Sequence, residues 1–515
     1  MGADTLMAGI ERLASDEFGG RAPGSAGETL TVDYLTEELA ALGLEPGNPD
    51  GTWGQDVPLV GITPLPGDGL VVTGGGETRI LEPAADYVAA TKHVVDAVSV
   101  SDAEFVFVGY GAQAPEYDWD DFGDTDVSGK ILLFLVNDPP LDDAFGGSAM
   151  TYYGRWTYQH EIAAELGAAG SFVIHEDGPA GYPWEVVGST PYAESFDLIA
   201  DDDNLSRATV EGWVQRATAE MLFELAGLDF EAAKQQAADR AFEPIPLGVT
   251  GSIEIRNELR TIDSQNVLAR IPGTEAPDEV VMYVAHWDHM GTDESLEGDQ
   301  VYNGAADNAT GTQGLIEIAR AFMEGEPPRR SVVFLAVTAE EQGLLGSRYY
   351  GEQPLYPTAQ TVAAVNMDVL NQWGRTRDLT IVGMGQSELD DVAADVAAEL
   401  GRVLNPDPEP EKGFYYRSDH FSFARVGIPA FYGDPGVDYI DKPPGYGIEK
   451  RNEYTANDYH AVSDEVKPDW DLSGALEDLT FMYRMGARLA ATDEWPAWSA
   501  TSEFRAIREE QRPGE

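Results

Sequence analysis

The sequence of 515 residues contains no cysteine, and it has only seven histidines and seven lysines. The absence of cysteine excludes disulfides, zinc sites built from thiolates and cysteine nucleophiles. No run approaches the roughly 18 apolar residues that a membrane-spanning helix needs. Because the chain has no cysteine, any metal site must use His, Asp and Glu side chains. The small number of histidines limits the positions at which such a site can lie.

Basic side chains are scarce. The chain has 32 Lys and Arg residues compared with 91 Asp and Glu residues, which gives a net charge of −59. Nucleic acids and anionic membranes bind positive surfaces, so we expect neither as a partner. An acidic surface suits a salty or extracellular medium, and a simple gain in solubility explains it equally well. We expect an extracellular or periplasmic location, although no signal peptide is visible at the start of the sequence. The sequence predicts no oligomeric state.

The order of apolar runs predicts an α/β fold with a mostly parallel, twisted sheet sandwiched by helices. Strand-like runs and helical periodicity alternate from "SQNVLARIPG" (264–273) onward, as parallel strands with crossover helices require. These strand-like runs cover 265–271, 280–285, 331–337, 361–367, 378–383 and 428–432. We expect 1–85 and 251–515 to form this domain, and 86–250 to form a β-rich insert with a helical stretch at 205–240.

Candidate metal ligands follow several of the apolar runs. In open α/β sheets the ligand site lies at the carboxyl ends of the strands. His286 follows the run 280–285, Glu341 follows 331–337, and Asp368 follows 361–367. Asp307 stands in the loop "YNGAADNATGTQG" and His460 in "NDYHAVSDE". Two imidazoles and three carboxylates form a ligand set that divalent metals use in the absence of thiols. A set of solvated surface residues would not explain why they follow the most hydrophobic segments.

Six motifs resemble, in their order along the chain, those of the M28 metallopeptidases: "AHWDHMG", "NGAADNATG", "AVTAEEQGLLGSRYY", "VNMD", "YYRSDHFSFARVGIP" and "YHAVSDE". The resemblance extends over about 252–490 and implies a co-catalytic di-zinc peptidase of the aminopeptidase branch. The region 86–250 is similar to the protease-associated domain that some members of the family insert.

The resemblance also implies a role for each motif residue. It implies two Zn²⁺ per chain, although other divalent metals suit the same donors. One zinc would be held by His286, Asp307 and Asp368, and the other by Asp307, Glu341 and His460. Glu340 would be the general base.

The remaining motif residues would support this centre. Asp288 would accept the ring N–H of His286. Asp464 would be an equivalent of His460 or a helix cap. Tyr415 and Tyr459 compete as the hydroxyl that stabilises the oxyanion, and either could instead line the pocket. Arg417 and Ser418 could contact the substrate, with surface or capping roles equally open.

The expected activity is hydrolysis of the N-terminal peptide bond of a peptide or small amide. The same family pattern leaves a carboxypeptidase-like member or a dipeptidase open. We disfavour the former because Arg375, Arg377 and Arg417 form no cluster that could hold a terminal carboxylate. The full ligand set argues against a relative of the one-zinc glutaminyl cyclases and against a non-catalytic binding ectodomain, in which ligands should have been lost.

Overall fold

A computed structural model describes residues 1–141, 145–147, 149–180, 182–189 and 191–512. The chain divides into two compact units. The first comprises Met1–Pro58, Ile262–Pro408 and Arg417–Glu515, and the second comprises Leu59–Thr261 with Glu409–Tyr416. The second unit therefore begins before the predicted insert 86–250 and also takes a short later segment.

The strands of the first unit follow the predicted apolar runs closely. They are β1 (Ile245–Ile271, of which the part from Ile262 belongs here), β2 (Ala276–His286), β3 (Arg330–Val337), β4 (Thr361–Asn366), β5 (Asp378–Val382), β6 (Val403–Pro406) and β7 (Ala430–Pro435). Short strands also form at Glu45–Pro46, Gly291–Thr292 and Val301–Tyr302.

The helices of the first unit separate these strands. They are α1 (Ala3–Leu13), α2 (Ala26–Ala41), α3 (Thr310–Glu324), α4 (Leu345–Glu352), α5 (Leu389–Leu400), α6 (His420–Arg425), α7 (Tyr446–Asn457), α8 (Ser473–Ala491) and α9 (Arg505–Gln511). Among the described residues, no helix combines the length and apolar character needed to cross a bilayer.

The centre of the sheet is parallel, as the sequence predicts. β2 lies between β3 and β4 and is parallel to both, with His286 beside Val337 and Val284 beside Asn366. β4 is also parallel to β7, whereas β1 and β5 pair antiparallel with β3 and β7. The carboxyl ends of β2, β3 and β4 therefore meet at one edge of the sheet.

Both faces of this sheet are buried, which explains why its strands are apolar at nearly every position. In β2, Val281 and Tyr283 pack into one core, to which α1, α3 and α8 also contribute. The alternating residues Met282 and Val284 pack into a second core with side chains of α4 and α6. Helices thus cover the sheet on both sides, which confirms the predicted α/β sandwich.

The second unit has its own hydrophobic cores. Its strands are Gly54–Leu65 (the part from Leu59), Leu70–Gly74, Glu77–Leu81, Tyr87–Ala90, Ala97–Phe107, Gln113–Ala114, Trp119–Asp120, Ile131–Leu135, Gly170–His175, Ser195–Leu198, Val210–Gln215 and the first part of β1. Its helices are Trp156–Glu165, Asp177–Ala180, Glu185–Gly188, Arg216–Ala226 and Phe230–Gln236. The prediction of a helix over 205–240 is wrong at its start. Val210–Gln215 is a strand beside Gly170–His175, because its β-branched and aromatic residues fit a buried sheet position.

Candidate metal centre

Polar side chains that follow β2, β3 and β4 come together at the edge where these strands end. His286 is the last residue of β2, Glu340 and Glu341 follow β3, and Asp368 follows β4. The Nε2 of His286 lies 3.3 Å from Oδ1 of Asp368 and 3.9 Å from Oε2 of Glu340. Three segments that are distant in sequence are thus adjacent here, because their strands are neighbours in the sheet.

Asp307 is held in an irregular turn that precedes α3. The backbone at Asp307 is not helical (φ −106°, ψ 99°). The Asp464 carboxylate accepts hydrogen bonds from the main-chain N–H groups of Ala306 and Asp307, each at 3.0 Å. Asp464 therefore fixes the direction of the Asp307 main chain, a role close to the capping function that the sequence left open.

The two carboxylate oxygens of Asp307 face two different imidazoles. Oδ1 lies 3.3 Å from Nε2 of His286, and Oδ2 lies 3.5 Å from Nε2 of His460. His460 also lies close to Glu341, with 2.9 Å between its Nε2 and Oε2. The Asp307 carboxylate thus stands between a His286 half and a His460 half of the site.

Glu341 contacts a second imidazole that the sequence analysis did not count as a ligand. Nδ1 of the fully buried His289 lies 2.5 Å from Oε1 of Glu341. The two oxygens of Glu341 are therefore each directed by a histidine. The position of His289, three residues after His286 at a strand end, was the sequence signal for this contact.

Asp288 orients the adjacent glutamates through their main chain. Its Oδ1 accepts the N–H of Glu340 at 3.0 Å, and its Oδ2 accepts the N–H of Glu341 at 3.4 Å. The expected contact with His286 differs in detail, because Nδ1 of His286 lies 3.2 Å from the main-chain oxygen of Asp288 and 3.8 Å from its carboxylate. One buried aspartate thus bridges the ends of β2 and β3.

The centre concentrates negative charge away from water. Burial raises the pKa of Glu340 well above its usual value, and the neighbouring Asp368 carboxylate adds to this effect. Burial likewise raises the pKa of Asp288 to about 8. Burial alone would lower the pKa of His286, but Glu340 and Asp368 raise it well above its usual range. Divalent cations held here would supply positive charge that favours the ionised carboxylates.

Ser418, a predicted substrate contact, hydrogen-bonds to the candidate ligand Asp368. Its hydroxyl donates to Oδ2 of Asp368 at 2.7 Å and accepts from the side-chain amide of Asn366 at 2.7 Å. Ser418 is buried, whereas its neighbour Arg417 is exposed. Ser418 therefore orients a carboxylate of the centre, and Arg417 stays a predicted substrate contact.

The two candidate tyrosines have different surroundings. Tyr459 is 46% exposed, and its ring stacks on the His460 ring with 3.8 Å between centroids. His460 itself has a left-handed backbone (φ 56°), which is uncommon outside glycine. Tyr415 is buried in the 3₁₀ turn Phe414–Tyr416 and packs against Tyr416 within the second unit.

The donor atoms fit the metal ions that the motifs imply. The donors of His286, Asp307 and Glu341 all lie within 4.8 Å of one another, and so do those of His286, Glu340 and Asp368. These nitrogen and oxygen donors suit zinc and similar divalent cations. The grouping differs from the predicted trios, because Glu340 shares the His286–Asp368 half. The five predicted ligands nevertheless all take part in the short contacts described above.

The fold and the site together define an α/β protein with an imidazole- and carboxylate-rich centre at the carboxyl edge of its parallel strands. The family model of Peptidase family M28 matches residues 266–483. This matched segment, which spans less than half of the chain, carries every predicted ligand.

Three curated proteins are similar to part of the chain. Aminopeptidase NAALADL1 of Mus musculus is 35% identical over 137 residues, or 25% of this chain and 17% of that protein. A Probable zinc metalloprotease of Pyrenophora teres f. teres (strain 0-1) is 30% identical over 129 residues, or 24% and 26% of the two chains. The Glutamate carboxypeptidase 2 homolog of Caenorhabditis elegans is 36% identical over 125 residues, or 23% and 15%. The alignments thus span about a quarter or less of each relative.

Among solved structures, the chain is similar to the Aminopeptidase from Aneurinibacillus sp. strain AM-1. The two are 19% identical, with a TM-score of 0.49, and the match covers 96% of this chain and 95% of that one.

Proposed function

We propose that the protein is a metal-dependent aminopeptidase that hydrolyses the N-terminal bond of a peptide or small amide at a two-zinc centre. The observation that carries the proposal is the Asp307 carboxylate, whose oxygens lie 3.3 Å from His286 and 3.5 Å from His460. A carboxylate in this position can bridge two cations. The match of residues 266–483 to the model of Peptidase family M28 supports the peptidase class, and similarity to a probable zinc metalloprotease supports zinc.

In this proposal the residues divide into two ligand sets that share Asp307. His286 and Asp368 complete one set, and Glu341 and His460 complete the other. A pair of divalent metals held there would lower the pKa of a bound water and polarise the scissile carbonyl group. The remaining steps depend on side chains of the protein.

Glu340 is the proposed general base. It lies beside the His286–Asp368 pair and keeps 11% of its side chain exposed, so it can reach both the centre and an entering substrate. One oxygen of its carboxylate would take a proton from the attacking water, and the same oxygen would deliver it to the leaving amine nitrogen. The hydrogen bond from the Glu340 N–H to Asp288 would hold the base in place during both transfers.

Tyr459 is the proposed donor to the developing oxyanion. Its stacking on His460 places it beside one ligand set, and a preorganised hydroxyl donor stabilises charge that forms in the transition state. Tyr415 remains the second candidate for this role. Substitution of each tyrosine by phenylalanine distinguishes the two candidates. Only loss of the hydroxyl that acts as the donor should lower kcat while zinc content stays constant.

The acidic balance of the chain favours an N-terminal over a C-terminal substrate group. With a net charge of −59, it would attract a cationic α-amine and repel a terminal carboxylate. The nearest alternative, a carboxypeptidase, needs arginines to hold that carboxylate. Arg375 and Arg377 are instead paired with Glu477 and Asp438, at 2.5 Å and 2.9 Å.

One comparison tests the proposed function. Zinc per chain is measured together with hydrolysis of aminoacyl anilides, dipeptides and peptides blocked at either end. We expect about two zinc ions, activity on free N-termini, and no activity on N-acetylated peptides. Cleavage of N-acetylated substrates with a free C-terminus would favour the carboxypeptidase alternative. The name of the Caenorhabditis elegans relative, Glutamate carboxypeptidase 2 homolog, is in line with that alternative. A protein that contains no zinc and shows no hydrolysis would refute the enzyme proposal.

We also propose an extracellular or periplasmic location and a protease-associated character for the insert. The first is supported by the net charge of −59. The second is supported by the separate hydrophobic cores of the second unit.

A further inference from the structure

The turn "GGRAPG" at 19–24 contains a single charged residue, Arg21. Arg21, at the end of the 3₁₀ turn Asp16–Arg21, is completely buried. Burial of an arginine is costly unless its donors are satisfied. The contacts that satisfy Arg21 therefore indicate what the residue does.

The Arg21 guanidinium donates four hydrogen bonds, and all four go to main-chain carbonyl oxygens. Nε donates to Trp287 at 2.9 Å, Nη1 to Leu13 at 2.8 Å and to Asn303 at 2.6 Å, and Nη2 to Gly304 at 2.9 Å. Trp287 directly follows the candidate ligand His286. Asn303 and Gly304 directly precede the turn that carries Asp307. One side chain thus ties together two loops that carry candidate ligands.

The surrounding main chain strengthens this link. The N–H of His289 donates to the carbonyl of Arg21 at 3.4 Å. The side-chain amide of Asn303 donates to the Ala14 carbonyl at 2.7 Å and to Asp16 at 3.0 Å. A Cβ added at Gly20 would lie 2.2 Å from the main-chain oxygen of Gly291. The turn is therefore in direct main-chain contact with the segment that follows His286.

The charge of Arg21 also faces the candidate centre. Burial lowers the pKa of Arg21 to about 10, while nearby carboxylates, with Asp288 and Asp464 foremost, act in the opposite direction. Asp288 and Asp464 are the residues that hold the main chain of Glu340 and Asp307. Arg21 therefore adds a positive charge beside the two carboxylates that hold these main-chain segments.

We infer that Arg21 is a positioning residue of the metal centre, which holds the His286 loop and the Asp307 loop at the separation that metal binding needs. The inference rests on the proposed function, because it assumes that these residues bind zinc. Two effects of removing Arg21 oppose each other. Loss of its positive charge would strengthen cation binding, whereas release of the two loops would weaken it, so the test must separate charge from geometry.

The substitution Arg21→Lys isolates geometry, because lysine keeps the charge but lacks the planar fork that reaches four carbonyls. We expect R21K to weaken zinc binding by about ten- to a hundredfold, the range typical of residues that orient metal ligands. Competition with a chelator of known affinity measures this change. In the metal-free protein, we expect faster amide hydrogen exchange at 287–291 and 303–309, a readout that is independent of activity.

Arg330→Met is the matched control. Arg330 is also completely buried and donates to the Leu489 and Glu494 carbonyls at 2.8 Å each, but it begins β3 and so lies at the opposite end of that strand from Glu340. We expect R330M to lower Tm while zinc affinity stays within about twofold of wild type, which separates a general loss of stability from a local effect.

The outcomes are distinct. Wild-type zinc affinity and wild-type loop exchange in R21K would overturn the inference. A second variant, Arg21→Met (R21M), removes both the charge and the hydrogen bonds. Tighter zinc binding in R21M than in wild type would also overturn the inference, because charge would then dominate over geometry. If R21M does not fold, R21K alone decides. The proposed function would be refuted by a different result, independent of any Arg21 variant: wild-type protein that binds no zinc and shows no hydrolysis.

Discussion

The substitution Glu340→Gln most directly tests the division of labour within the adjacent pair Glu340–Glu341. Glutamine has the shape of glutamate, and the main-chain hydrogen bond to Asp288 at 3.0 Å does not depend on the side chain. The Asp307, Glu341 and His460 contacts are unaffected. We therefore expect E340Q to fold normally and to bind as much zinc as the wild type.

The expected loss lies in kcat. A glutamine cannot accept the proton of the attacking water or return it to the leaving amine. General base catalysis contributes about 10²- to 10⁴-fold, so kcat should fall by that factor, or by about 2.7 to 5.4 kcal/mol in activation free energy. The assay is release of 4-nitroaniline from an aminoacyl anilide at saturating substrate, with zinc measured on the same sample.

Glu341→Gln is the matched control for this experiment. Glu341 lies 2.9 Å from His460 and 2.5 Å from His289 through its two oxygens, so it is placed to bind metal. We expect E341Q to lower zinc content from about two toward one per chain. If E340Q instead kept kcat within about threefold of wild type at full zinc content, Glu340 would not be the base. Loss of zinc in E340Q would show that it is a ligand.

Further outcomes follow from the same contacts. Asp307→Ala should reduce zinc below about one ion per chain in metal analysis, because its carboxylate faces both imidazoles; retention of two ions would contradict the bridge. Tyr459→Phe should lower kcat about a hundredfold at constant zinc content, and an unchanged kcat would exclude Tyr459 as the oxyanion donor. Asp478→Asn leaves the Arg402 side chain without the carboxylate that lies 2.5 Å from it. Urea unfolding should therefore show a free energy of unfolding lower by about 3–5 kcal/mol. A decrease below about 1 kcal/mol would show that this ion pair does not stabilise the fold as expected. Burial raises the pKa of Asp121 to about 7. The unfolded chain therefore binds fewer protons than the folded one between about pH 4 and 7, and stability falls as pH rises. Asp121→Asn should destabilise the protein less at pH 7.5 than at pH 5, and equal losses of stability at the two pH values would refute this sign.

Much of the fold was predictable because the central strands are apolar on both faces. The run 331–337 predicted β3 (Arg330–Val337) to within one residue, and 361–367 predicted β4 (Thr361–Asn366) equally well. The prediction failed at 210–215, where a strand was taken for the start of a helix. Short amphipathic runs do not distinguish a strand from a helix, and there only the pairing with Gly170–His175 decided the outcome.

The candidate site was predictable in its residue types but not in its contacts. The sequence placed His286, Glu341 and Asp368 after strands, and their proximity followed from parallel pairing. It did not indicate that Ser418 would bind Asp368, or that Asp288 would hold the main chain of both glutamates. Those contacts depend on side-chain direction in loops, which neither hydrophobic periodicity nor residue spacing encodes.

The sequence by itself therefore determined the chemistry of this protein: no thiols, few imidazoles, an excess of carboxylates, and ligands placed where apolar strands end. The tertiary structure decided how those groups act on one another. It directed the two oxygens of Asp307 toward different histidines, and it brought Arg21 to the Gly304 carbonyl across 283 residues of sequence. Contacts of that separation are set by the packing of whole segments, so they exist only once the chain has folded.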